Sequence, residues 1–101
     1  MTATPAARSA PHASVLMLLA DGWHDLPAPI QVVMSTVGEA GVRIHLHGQA
    51  DADQWRRWLT QRGTRDWSTL DHVHHDVRHH EHHGWWRGAH VTVLWLTRVV
   101  A

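Results

Sequence analysis

The residues best equipped for chemistry are the histidines. The chain carries twelve, and eight fall between His72 and His90: His72, His74, His75, His79, His80, His82, His83 and His90. Asp71, Asp76 and Glu81 are interleaved with them. Imidazole and carboxylate are the ligand types of zinc, nickel and iron sites. Spacing decides whether they converge. If residues 78–86 form a strand, His79, Glu81 and His83 share one face. Same-face neighbours along a strand are roughly 6.5 to 7 Å apart, so His79 and His83 are too distant to share one ion on a flat strand. A cross-strand pair is better placed. With Arg87-Gly88 as a hairpin tip, Trp85 faces His90, His83 faces Thr92 and Glu81 faces Leu94. His83 and His90 are then diagonal neighbours within reach of one metal. The candidate metal ligands are therefore His79, Glu81, His83 and His90, with Zn or Ni as the ion. His45 and His47 are further donors from the neighbouring face, and His80 with His82 forms a second pair on the opposite one.

The competing expectation is a solvated polar face that binds several metal ions weakly. Composition favours it. Lys, Asn, Phe and Tyr are absent, and Ile occurs only at Ile30 and Ile44. All five have AT-rich codons, so the chain reads as the product of a high-GC genome, an actinomycete or its phage or plasmid. In such a background His and Arg occupy surface positions that Lys, Asn or Tyr would otherwise take.

Other chemistries find little support. There is no Cys, which excludes disulfides, thiolate zinc sites and cysteine catalysis. No H-E-x-x-H or G-x-S-x-G occurs, and Ser68 near Asp71 and His72 is a chance-level cluster. Gly38 to Gly41 lacks the strand–loop–helix setting of a phosphate cradle. The expectation is a chain that is not an enzyme and has no cofactor beyond the metal alternative. Nine Arg balance nine Asp plus Glu, so the net charge is zero with His neutral. That argues against nucleic acid as a partner, although seven Trp could stack on bases. No apolar run approaches the roughly 18 residues of a membrane span. Val15 to Ala20 resembles a short signal core, but the flanking residues do not fit a cleavage site, so a cytoplasmic location is expected.

With 101 residues, one core is all the chain can hold. Residues 1–11 read as a disordered tail, and 12–101 as a single α+β domain. Ala13 to Trp23 predicts a helix with Ser14 as N-cap. Ile30 to Val37 and Val42 to Gly48 predict two strands joined through Gly38–Gly41. Asp51 and Gln54 have capping-box spacing, and Trp55, Trp58 and Leu59 form the core stripe of a second helix closed by Gly63. Trp67 to His74 predicts a third strand. Arg78 to Trp86 and Ala89 to Val99 predict a hairpin, with Val91, Val93 and Trp95 facing the core. The order α-β-β-α-β-β-β implies a small antiparallel sheet with two helices on one face.

The run Leu26-Pro27-Ala28-Pro29, the helix with Trp55-Arg56-Arg57-Trp58-Leu59, and Trp86-Arg87-Gly88 leading into His90-Val91-Thr92-Val93 carry a resemblance. Over roughly residues 13–99 the chain resembles small uncharacterised proteins of streptomycetes and their relatives, whose genes often lie in phage-like or integrative elements. That resemblance implies no activity and no functional residues. The leading expectation is a non-enzymatic binding or adaptor module acting by protein–protein contact, with Trp85 and Trp86 as an exposed anchor and self-association open to it. The alternative is a transition-metal-binding or sensing protein using the His72–His90 cluster.

Overall fold

The computed structural model describes residues 12–35 and 41–99. The segment 1–11 and most of the Gly38–Gly41 turn lie outside the described residues. The elements are α1 (His12–Gly22), β1 (Gln31–Met34), β2 (Gly41–His45), α2 (Gln49–Gln61), β3 (Arg65–His74), β4 (Val77–Trp86) and β5 (Ala89–Arg98). This is an α+β fold in the expected order. The five strands form one sheet in the order β1-β2-β5-β4-β3.

The sheet is mixed rather than wholly antiparallel. β2 and β5 run parallel, with Val42 opposite Val91 and Ile44 opposite Val93. The cause is topological. Between β2 and β5 the chain makes one helix and one hairpin, and β5 returns beside β2 by a long crossover instead of a tight turn. β5 is thereby central. Its residues Val91 to Trp95 are all buried, with the helices over one face and neighbouring side chains closing over the other.

Both helices pack on one face. Val15, Leu18 and Leu19 from α1 and Ala52, Trp55 and Leu59 from α2 join Val42, Ile44, Val91, Val93 and Trp95 in a single core. Trp55 is fully buried, and its indole Nε1 donates to the Pro27 carbonyl at 2.8 Å. Trp58, expected in the core stripe, is only half-buried. It sits edge-on to Trp55 with the Arg62 guanidinium 4.8 Å from its ring centroid.

The helix caps differ from expectation. Gly48, not Asp51, occupies the N-cap of α2, with no side-chain cap bond, and Asp51 lies inside the first turn. There it still complements the helix dipole. Ser14 likewise falls within α1 rather than at its cap. Gly63 follows the C-cap Arg62 with φ +105°, the left-handed position that glycine serves best.

The β4–β5 hairpin has the expected register, including Trp85 opposite His90, His83 opposite Thr92 and Glu81 opposite Leu94. Arg87 and Gly88 at its tip both have positive φ, 48° and 79°. That is the type I′ pattern, whose twist matches the strands. His75 and Asp76, with φ 50° and 61°, form the same tip between β3 and β4.

Candidate metal centre

A strand shows alternate side chains to alternate faces, so the registers assign every residue to a side. The helix-covered face takes Val91, Val93, Trp95, His80, His82, Gly84 and Trp86. The helix-free face takes His72 from β3, His79, Glu81, His83 and Trp85 from β4, His90, Thr92 and Leu94 from β5, and Arg43 and His45 from β2. The histidines therefore form two separate groups with the sheet between them.

Glu81 is the centre of the helix-free group. It is only 6% exposed although no helix covers it. Leu70 and Leu94 flank it across the ladder, and neighbouring side chains close over it. His83 Nε2 lies 2.8 Å from Glu81 Oε1, and His72 Nε2 lies 3.2 Å from Oε2. Arg43 approaches the same Oε2 at 3.9 Å. Burial by itself pushes the Glu81 pKa up. The hydrogen bond from His72, the Arg43 charge, and the hydrogen bond and charge of His83 outweigh it, and the pKa falls below the ordinary carboxylate value. Glu81 is an ionised, buried acceptor.

A carboxylate only accepts, so His83 donates to Glu81 through Nε2–H. Its Nδ1 lies 2.9 Å from His90 Nε2 and 3.3 Å from Thr92 Oγ1. Burial, then the His83 and Arg43 charges, holds the His90 pKa below the ordinary imidazole value, which agrees with a neutral ring. Trp85, His90 and His83 stack in file, with centroids 4.8 and 5.0 Å apart, and the file ends on Glu81.

On the other side of Glu81, His72 and His79 are cross-strand partners. Their rings stack at 4.6 Å with an interplanar angle of 6°. One ligand atom each from His72, His79 and Glu81 lies within 4.8 Å of the others. Ligands on a tetrahedral ion with bonds of about 2.1 Å are about 3.4 Å apart, so closure needs small rotations only. His72 is exposed and His79 partly buried, so both have room to rotate.

The sequence-predicted ligands thus divide. His79 and Glu81 converge. His83 and His90 meet each other as foreseen, yet as a hydrogen-bonded pair behind the carboxylate. His72 was missed as a ligand because it comes from β3, whose register with β4 depends on the unrecognised His75-Asp76 tip. His45 shares the face, opposite Leu94 and near His79, while His47 lies beyond β2. Burial, then the His47, Arg43 and His79 charges, lowers the His45 pKa.

The opposite pair does not form a centre. His80 reaches Asp71 Oδ1 at 3.2 Å and Thr97 Oγ1 at 2.8 Å, and stacks on Trp95. His82 accepts from Arg56 at Nδ1, 2.9 Å away. Its buried Nε2 has no hydrogen-bond partner among the described residues, and Asp53 stands off at 3.8 Å. Burial and then the Arg56 charge lower its pKa.

The Trp85-Trp86 anchor also needs correction. Trp85 is 40% exposed, but Trp86 is 5% exposed and donates its indole N–H to the Arg62 carbonyl at 3.0 Å. Consecutive strand residues face opposite ways, so one of the two was bound to enter the core. No family model matches this chain, and neither the curated proteins nor the solved structures contain a match to it.

Proposed function

We propose that this chain binds one divalent transition-metal ion, of the zinc or nickel class, through His72, His79 and Glu81. The observation that carries this reading is the buried, ionised Glu81 on an uncovered sheet face, with two imidazole donors converging beside it. A carboxylate in that setting needs cationic or donor neighbours to be stable. Two imidazoles and a carboxylate suit Zn, Ni and Fe(II), and three protein ligands leave coordination positions open to solvent. His83, backed by His90, fixes the Glu81 oxygen that faces away from the ion. Outer partners of this kind orient metal ligands and tune them. The role is binding or sensing of the ion.

Equilibrium dialysis against Zn and Ni, followed by metal analysis, tests the proposal. One ion per chain is expected, with affinity reduced at least about tenfold by Glu81→Gln or by His79→Ala. Several weak ions, indifferent to either substitution, would overturn it.

Self-association is a second reading, favoured by a different surface. Leu16 and Trp23 are 54% and 46% exposed and line a groove floored by Leu19, Val32 and Met34. Apolar surface of this kind marks interaction sites. Zero net charge sets no long-range repulsion between two copies of the chain. Sedimentation over a range of concentrations should show association that Leu16→Glu removes. A monomer throughout would dismiss it.

A further inference from the structure

Arg43 stands on the helix-free face next to the metal ligands, and a lone metal gives it nothing to do. Its guanidinium lies 3.9 Å from Glu81 Oε2, and its side chain is 49% exposed. It also walls a depression of about 190 Å3, lined with Val33, Ser35, Gly41, His90 and Thr92, on the same face. Val33, Arg43 and Thr92 form one row across β1, β2 and β5, and Gly41 opposite His90 forms the next. Gly41 has no side chain to fill the space.

We propose that the centre takes its metal together with a small oxyanion, bound to the ion on one side and to Arg43 on the other. The inference rests on the metal reading above. Its first support is charge. Glu81 and Arg43 carry opposite charges, and an imidazole that ligates a metal is neutral, so a dication adds two positive charges that the ligand set and Arg43 do not offset. An anion reduces that excess. Its second support is reach. A metal about 2.1 Å from the Glu81 oxygen stands within about 6 Å of the Arg43 nitrogen. A carboxylate or phosphate group spans that gap with one metal–oxygen bond and one charge-assisted hydrogen bond of about 2.8 Å. Its third support is access, since three protein ligands leave coordination positions open and the Arg43 side chain is half exposed.

The arrangement makes metal and anion binding cooperative. Arg43 opposes a bare dication by repulsion and by holding Glu81 Oε2. With an anion present, the guanidinium has a new acceptor and the opposition becomes attraction. Coupling is reciprocal, so the anion must tighten the metal by the factor with which the metal tightens the anion.

Cobalt(II) serves as a coloured substitute for zinc, read by its visible absorption, with acetate and inorganic phosphate as separate anion probes. In the intact chain either anion should change the cobalt spectrum and tighten cobalt. The probe with the larger factor identifies a carboxylate or a phosphate as the natural class. Arg43→Gln should bind cobalt alone as tightly as the parent or tighter. It should lose about tenfold in anion affinity, the effect of one charge-assisted hydrogen bond. Arg43→Lys keeps the charge and should retain most of the coupling. A cobalt spectrum indifferent to both anions, or coupling unchanged in Arg43→Gln, would overturn the inference while leaving the metal site standing. Absence of any cobalt spectrum would overturn both.

Discussion

At the scale of single residues, position relative to Glu81 decides what each histidine does. His83 donates to Oε1 and is held by His90, so it acts on the carboxylate rather than on the ion. His83→Ala should therefore weaken Zn binding by about 10- to 100-fold, the range for outer partners, with the stoichiometry still one ion per chain. His90→Ala acts one step further back and should cost less. Titration calorimetry of the variants checks the order, and equal losses for His79→Ala and His90→Ala would contradict it. The sequence makes His79, Glu81 and the His83–His90 contact legible, because one hairpin with an Arg87-Gly88 tip sets all of them. It cannot show that His83 is saturated by the carboxylate. That depends on the setting of Glu81, whose other carboxylate oxygen is met by Arg43 and His72 from two other strands.

At the scale of elements, two close approaches at Gly84 set how β3 packs against β4. A Cβ on Gly84 would lie 2.8 Å from Thr64 Cγ2 and 2.9 Å from the Trp67 ring, so Trp67 lies flat against β4 only because residue 84 has no side chain. Gly84→Ala should destabilise the fold by about 1–3 kcal/mol through overpacking, measured by urea unfolding. Trp55→Ala should cost about 3–5 kcal/mol, and the half-buried Trp58→Ala clearly less. Equal costs would mean that the helix is rotated about its axis. Helix positions were legible because Trp55 and Leu59 repeat at i and i+4. The cap was not, since Asp51 and Gln54 match a capping box but the helix starts three residues earlier, with Gly48 as N-cap. The parallel β2–β5 pair was also hidden. Val42, Ile44, Val91 and Val93 have the same alternation in either direction, and only the long-range crossover distinguishes them.

At the scale of the whole molecule, the histidines couple the fold to pH. His45, His82 and His90 each have a folded pKa below the ordinary imidazole value, with burial as the first cause in every case. The unfolded chain returns them to about 6.5. Between the folded and unfolded values the unfolded chain binds more protons, so stability rises with pH there. The contribution is complete above the unfolded value and is lost as pH falls through 6.5 towards the lowered folded values. Glu81 acts in the same sense in a lower window. Its folded pKa is depressed, so its contribution holds above the unfolded carboxylate value of about 4.3 and is lost below it. The two losses should appear in sequence as acid is added. The midpoint temperature should be lower at pH 5.5 than at pH 7.5, and should fall again below pH 4.5. Bound Zn should steepen the upper loss, because ligand imidazoles must be deprotonated to hold the ion. Thermal unfolding at the three pH values, with and without Zn, provides the measurement. A midpoint that rises on acidification to pH 5.5 would contradict the destabilising effect assigned to the burial of His45, His82 and His90.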